Sequence, residues 1–225
     1  MAEEAEPFLA QAEATDAAEL KRADANLAVI AGRVVMLVRS GIGLVNAATA
    51  TSYVLTTLLD DIPVGMIVSA GTAGGLGTDV RVGDVVVSSE TLYSSADATG
   101  FGYALGQVPG MPERYTCDRR LVAAAAAAGT PDIPTRTGLV VSSDSFVTAQ
   151  NVDEVRNQFP EALSTDMESA ALSQVAHLFG VPFVSVRGVS DLCGPAASDD
   201  HATHVDDASE RSAHIVVEML TQTDV

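Results

Sequence analysis

The chain has 225 residues, 47% of them apolar, which is ample to bury a core as one large domain or two small ones. Thirty acidic residues against 12 basic give a net charge of −18, which argues against nucleic acid or an anionic membrane as partner, because like charges repel. No apolar run reaches the ~20 residues of a membrane span; the acidic opening M-A-E-E-A-E fits neither a secretory nor a mitochondrial presequence, so a cytoplasmic protein is expected.

Residues 1–24 are acidic and Ala-rich, and Glu3 to Ala14 reads as the first turns of a helix, with glutamates favoured at its N-terminus. Leu27 to Val38 is β-branched and broken by Gly32, the pattern of two strands around a tight turn. Ser40 to Ala50 is a Gly-rich turn entering a small-residue helix; Gly41, Gly43 and the free N–H groups of the helix start allow close approach of a ligand. Val64 to Gly75 is an apolar strand ending in A-G-T-A-G-G. Its spacing does not fit a dinucleotide fingerprint, since another strand, Val80 to Ser89, follows directly; a short loop touching a sugar or phosphate is expected instead.

Glu90 to Thr116 is loop-like, and a loop of that length in a compact domain is usually functional or at an interface. Asp118 to Gly129 is an Ala-rich helix with a Gly stop, and Arg136 to Ser142 is a strand with S-S-D-S-F-V at its carboxyl end. Asn151 to Phe159 is a short helix stopped by Pro160.

Leu163 to Asp191 reads as strand, helix, strand. Asp166 and Glu168 stand at the first strand-to-helix junction, and Asp191 follows a Val-rich run. In open α/β sheets the ligand crevice lies outside the carboxyl ends of the strands, so acids delivered there from two strands are candidate site residues. A polar loop, C-G-P-A-A-S-D-D-H-A-T-H-V-D-D, precedes a closing helix with Ile215, Val216, Met219 and Leu220 on one face. His201 and His204 in that loop lack a third anchored ligand, so they are expected in solvent and no metal is expected. Cys117 and Cys193 are far apart and form no C-x-x-C pattern, which favours reduced thiols. The alternation of strands and helices gives the fold class as α/β: a single domain over 1–225 with a mixed, mostly parallel central sheet flanked by helices.

Taken together, S-G-I-G-L-V-N-A-A (40–48), G-T-A-G-G-L (71–76), V-G-D-V-V-V-S (82–88), F-G-Y-A-L-G-Q-V-P-G-M-P (101–112), D-S-F-V (144–147), D-M-E-S-A (166–170) and V-P-F-V-S-V-R-G-V-S-D (181–191), with M-A-E-E-A at the start, resemble one family. It is the nucleoside phosphorylase/nucleosidase superfamily, and within it the 5′-methylthioadenosine/S-adenosylhomocysteine nucleosidases. The resemblance implies cleavage of the N-glycosidic bond between adenine and ribose. That reaction builds positive charge on the sugar and negative charge on the departing base, so it needs an acid at the purine and a base that activates water.

By this resemblance Asp191 is the acid, Glu4 the water-activating base, and Glu168 the carboxylate that accepts from the ribose hydroxyls, kept ionised by its helix start. Met167 lies against the ribose, Asp166 stands where relatives often have Glu, Phe146 stacks on adenine, and Val147 pairs with the base edge through its backbone. Thr72 offers a hydroxyl near the sugar or water, Ala73 and Ser190 join the substrate contacts, and Ile42 walls the tail pocket. Phe101 and Pro109 lie in the loop that, in relatives, closes the pocket of the partner in a homodimer.

Relatives lead into the glutamate pair with an apolar strand that this chain, opening at Met1, does not display, so a poorly supported Glu4 is expected. No cofactor is implied. Phosphorylase relatives clamp phosphate with arginines, whereas Ser69 and Ala70 occupy one such place here, which favours water as the nucleophile. The alternatives are a futalosine-type nucleosidase, a purine nucleoside phosphorylase, and a catalytically weakened nucleoside-binding or storage protein.

Overall fold

The computed structural model describes residues 1–18, 24–58 and 63–223. Six α-helices are described: α1 (Ala2–Ala10), α2 (Leu44–Leu58), α3 (Arg119–Ala127), α4 (Val152–Gln158), α5 (Ser169–Phe179) and α6 (Ala197–Gln222). The strands are β1 (Ala14–Ala18), β2 (Asp24–Ile30), β3 (Arg33–Arg39), β4 (Ile67–Gly75), β5 (Val85–Tyr93), β6 (Tyr115–Thr116), β7 (Thr135–Ser142), β8 (Ala162–Asp166) and β9 (Phe183–Asp191).

The sheet differs from the expected one. Its order is β6-β5-β7-β8-β4-β9, and β9 also pairs with β5, closing five strands into a barrel. The β4–β9, β5–β7 and β7–β8 ladders are parallel, but β4–β8 and β5–β9 are antiparallel. The mostly parallel open sheet is therefore corrected to a mixed closed one. Closure explains why all nine residues of β9 are buried: with neighbours at both edges and packing on both faces, the strand encloses its Ser, Arg and Asp along with its valines. Val85, Val87, Val184 and Val186 pack on Ile215 and Met219 of α6, the helix face that the closing periodicity identified.

Three boundaries moved for local reasons. The first helix stops at Ala10, and Ala14–Ala18 instead forms an edge strand antiparallel to β2, where ladder bonds override the helical preference of Ala-rich chain. Val80 to Asp84 is a turn in which Asp84 accepts from Arg81 N, so β5 starts five residues late and runs on to Tyr93. The polar stretch after Asp191 is mostly helix: α6 begins at Ala197 and includes both His201 and His204. Among the described residues no helix is long and apolar enough to cross a membrane, and Cys117 and Cys193 are free and buried.

Candidate active site

The carboxyl ends of β4, β8 and β9 open, with α1 and the turn before α2, onto one cavity of about 840 Å³. That is the size range of small-molecule sites. Its wall includes Glu4, Ile42, Thr72, Ala73, Phe146, Val147, Asp166, Met167, Glu168, Ser190 and Asp191, so eleven of the thirteen expected site residues share one space. Phe101 and Pro109 are absent from the wall; both are exposed on the loop between β5 and β6.

The centre of the site is a residue that the sequence reading passed over. Arg187 is buried in the middle of β9, with Asp166 Oδ2 at 3.2 Å from Nε and Glu168 Oε2 and Glu4 Oε1 at 3.4 and 3.9 Å from Nη1. Its Nη2 donates to Ser69 Oγ at 2.6 Å. A guanidinium ion-paired with three carboxylates is electrostatically occupied, and Arg39 at the cavity edge is paired with Asp24. Neither is presented as a clamp for phosphate. The signal was available in V-S-V-R-G-V-S, an arginine within an otherwise apolar and small-residue strand, since a buried charge requires partners.

Glu4 is well seated. Its Oε1 accepts from Thr72 N at 2.8 Å and from Thr72 Oγ at 3.1 Å, and its Oε2 from the Met1 amino group at 2.6 Å. The expectation of a poorly supported Glu4 is thus corrected: α1, anchored by buried Phe8, and the strand end at Thr72 hold it. The close approach requires Gly71, whose φ is +152°; a Cβ there would collide with Glu4 Oε1 and stand 2.7 Å from Arg187 Nη1. Burial alone would raise the pKa of Glu4, but Arg187, the Met1 amine and the Thr72 N–H outweigh it and hold the carboxyl below its ordinary range.

Asp191 is shifted the other way. Its side chain is buried, and burial pushes its pKa up against the opposing pull of the Cys193 N–H, the Ser190 hydroxyl and His201. Cys193 N donates to Oδ1 at 2.9 Å and Ser190 Oγ to Oδ2 at 3.1 Å.

Glu168 caps the start of α5 and accepts from Gly43 N at 3.0 Å across the cavity mouth. Its pKa is raised by burial, with Arg187 pulling down and Asp166 pushing up. Burial and its charged neighbours, rather than the helix start, therefore govern its charge. The Gly-rich turn offers no free anion cradle at these positions, because Gly43 N is spent on Glu168 and Leu44 N on Asp144 Oδ1 at 2.7 Å. Asp166 turns inward. It accepts from Ser142 Oγ at 2.5 Å, from the N–H groups of Glu168 and Ser169, and from Ser169 Oγ, while facing Arg187. It holds the cluster together at the base of α5.

His201 also departs from its expected place in solvent. It is half-buried in the cavity wall, 3.0 Å from Ser190 Oγ, with its ring edge-on to Phe146 at a centroid separation of 5.9 Å. The helical phase of α6, invisible while the stretch read as a loop, turns it inward. Among the described residues no group of three or more His, Cys, Asp or Glu is placed to hold a metal.

Comparison with known proteins gives the same family as the motifs. Residues 1–221 match the model of the phosphorylase superfamily. The chain is 41% identical to a 5′-methylthioadenosine/S-adenosylhomocysteine nucleosidase of Anoxybacillus flavithermus over 85% of this chain and 82% of that one. It is 43% identical to the nucleosidase of the same name from Geobacillus kaustophilus, over 83% of this chain and 79% of that one. The crystal structure of the Neisseria meningitidis nucleosidase in complex with methylthio-immucillin-A superposes with a TM-score of 0.94 at 36% identity, covering 99% of this chain and 96% of that one. The chain belongs to the phosphorylase superfamily.

Proposed function

We propose that this phosphorylase-superfamily member is a nucleosidase that hydrolyses the N-glycosidic bond of adenine thionucleosides, releasing adenine and a 5-thioribose. The observation that carries the reading is the opposite displacement of two carboxyl groups in one cavity: Glu4 is pushed down and Asp191 up. Environments that separate two carboxyl groups in this way assign a base and an acid.

The proposed mechanism follows from that division. Phe146, half exposed at the cavity wall, offers its face to the purine, and buried Val147 beside it offers backbone groups to the base edge. Glu168, fixed by Gly43 and Arg187, accepts from the ribose hydroxyls, with Met167 against the sugar. Protonated Asp191 gives its proton to the purine as the bond to the sugar breaks, and the sugar carbon becomes cationic. Ionised Glu4, with Thr72 beside it, takes a proton from the water that attacks that carbon. Asp166 and Arg187 act as positioning residues, since each reaches the reaction through Glu4 or Glu168.

Water rather than phosphate is the nucleophile because Arg187 already faces three carboxylates and the chain carries a net charge of −18. Among the described arginines at the cavity wall, Arg187 and Arg39 are ion-paired and Arg33 donates to Leu220 O, so none is presented as a clamp for a divalent anion. Phe101 is 88% exposed and Val34 75%, and Ile42 at the cavity mouth is 52% exposed. Such apolar surface fits a homodimer in which the loop bearing Phe101 and Pro109 covers the partner's tail pocket.

The test is incubation with methylthioadenosine, adenosylhomocysteine, inosine and aminodeoxyfutalosine, with and without phosphate, following base release by chromatography. Adenine from the first two without phosphate supports the reading. Dependence on phosphate, or release from the last two alone, overturns it.

A further inference from the structure

We propose that His201 and Ser190 form the path by which Asp191 regains its proton between turnovers, an inference that rests on the acid role given to Asp191 above. Ser190 Oγ lies 3.1 Å from Asp191 Oδ2 and 3.0 Å from His201 Nδ1, and its other contact, to Ala73 O, is longer at 3.5 Å. The three side chains therefore form one line from the buried carboxyl to a half-buried imidazole.

The chemistry of a hydroxyl makes that line reversible. Ser190 has one proton to give and can accept at the same oxygen. With Asp191 ionised, Ser190 points its proton at Oδ2 and accepts from His201 Nδ1–H. With Asp191 protonated on Oδ2, that proton is donated to Ser190 Oγ, whose own proton turns to a bare Nδ1. The outer member must thus donate in one state and accept in the other, through one atom and near neutral pH. Imidazole does this. Asp191 also meets Cys193, whose backbone N–H is an amide that cannot deliver a proton and whose thiol, pushed up to about 12 by burial, stays protonated. The charged groups acting on this corner are Asp200, adjacent to His201 on α6, and Arg156 of α4, which faces Cys193 and bonds to the Leu76 and Leu192 carbonyls. Neither makes a hydrogen bond to Asp191 in the structure. The edge-on contact with Phe146 fixes the imidazole ring beside the base-binding wall.

The protons balance. In one turnover the Asp191 proton leaves on the purine, the water hydroxyl bonds to the sugar carbon, and the second water proton rests on Glu4. Glu4 then loses that proton to solvent. With Asp191 ionised, the His201 ring first returns from its Nε2–H to its Nδ1–H tautomer by exchange with solvent. It then takes a proton from solvent on Nε2 and passes its Nδ1 proton to Ser190 Oγ, as the Ser190 proton moves to Asp191 Oδ2, which restores the Nε2–H tautomer that faces protonated Asp191.

The test uses steady-state hydrolysis of methylthioadenosine by the wild type, His201→Ala and Ser190→Ala. General acid help is worth about 10²–10⁴ in rate, so slowing its recovery is expected to lower kcat of both variants by at least about tenfold while KM stays within about twofold. Imidazole added to the buffer is expected to restore part of the activity of His201→Ala in proportion to its concentration, and none of that of Ser190→Ala. Circular dichroism checks folding. Should His201→Ala fail to fold, His201→Asn carries the same test, because its amide cannot pass on a proton. Unchanged kcat in the folded His201 variant, or equal rescue of Ser190→Ala, overturns the path. Absence of adenine release by the wild type would instead overturn the functional reading, and the path with it.

Discussion

Replacing Arg187 by Gln removes the one cation that the carboxylates of Glu4, Asp166 and Glu168 share. At an effective dielectric of about 20, separations of 3.2, 3.4 and 3.9 Å each correspond to about 4–5 kcal/mol of attraction, before the cost of desolvating the guanidinium. Burial removes much of that gain, and breaking a buried pair by deleting one partner typically costs about 3–5 kcal/mol, because the other charge is left uncompensated. A loss of that size is a large fraction of the ~5–15 kcal/mol that holds a domain folded.

The sign of its pH dependence follows. In the wild type the depressed pKa of Glu4 contributes stability that is present above the ordinary carboxyl range and lost as pH falls through the lowered value. Without Arg187 the folded-state pKa values of Glu4 and Glu168 move up, so the variant favours their protonated forms. Its deficit is therefore greatest near neutral pH and shrinks in acid. Urea unfolding of both proteins at about pH 8 and about pH 5 measures this. A deficit under about 1 kcal/mol at the higher pH, or one equal at both, would refute the description of Arg187 as the charge that holds the cluster.

Three further outcomes are expected. With Glu4 ionised and Asp191 protonated in the working enzyme, kcat/KM declines on the alkaline side as Asp191 titrates from its raised pKa; the residual rate of Asp191→Asn lacks that limb, and its persistence would assign the limb to another group. Asp191→Asn, inactive or nearly so, melts higher than the wild type at about pH 8, because a buried group of raised pKa costs stability as pH rises; the gap closes in acid, and no gap at either pH would contradict the assigned burial cost. Gly71→Ala displaces Glu4 and lowers kcat about 10²-fold with nucleoside binding retained by calorimetry, whereas kcat within about threefold of wild type would show that the side chain can give way.

Much of the site was legible because its parts lie at strand ends, and strand ends are visible in sequence. Asp166, Glu168 and Asp191 each follow an apolar run, and motif resemblance supplied Glu4, Phe146 and Val147. What escaped were features set by contacts between distant segments. Barrel closure depends on the β5–β9 ladder, joining Val85–Val87 to Val186–Gly188, and no local pattern announces it. Arg187 was read as part of a motif rather than as a charge needing partners. His201 was lost because Asp, His and Thr between Ala197 and Asp207 have low helix propensity, and packing of the later Ile215 and Met219 face overrides it. The support of Glu4 was misjudged for a similar reason: it comes from Thr72, 68 positions away.

The account rests on water attacking the sugar while the purine leaves protonated. Turnover of methylthioadenosine in oxygen-18 water, with phosphate present in excess, tests that directly by mass spectrometry of the sugar product. One oxygen-18 atom in the thioribose, beside free unlabelled adenine, is the predicted result. A thioribose 1-phosphate, or a sugar without label, would contradict it.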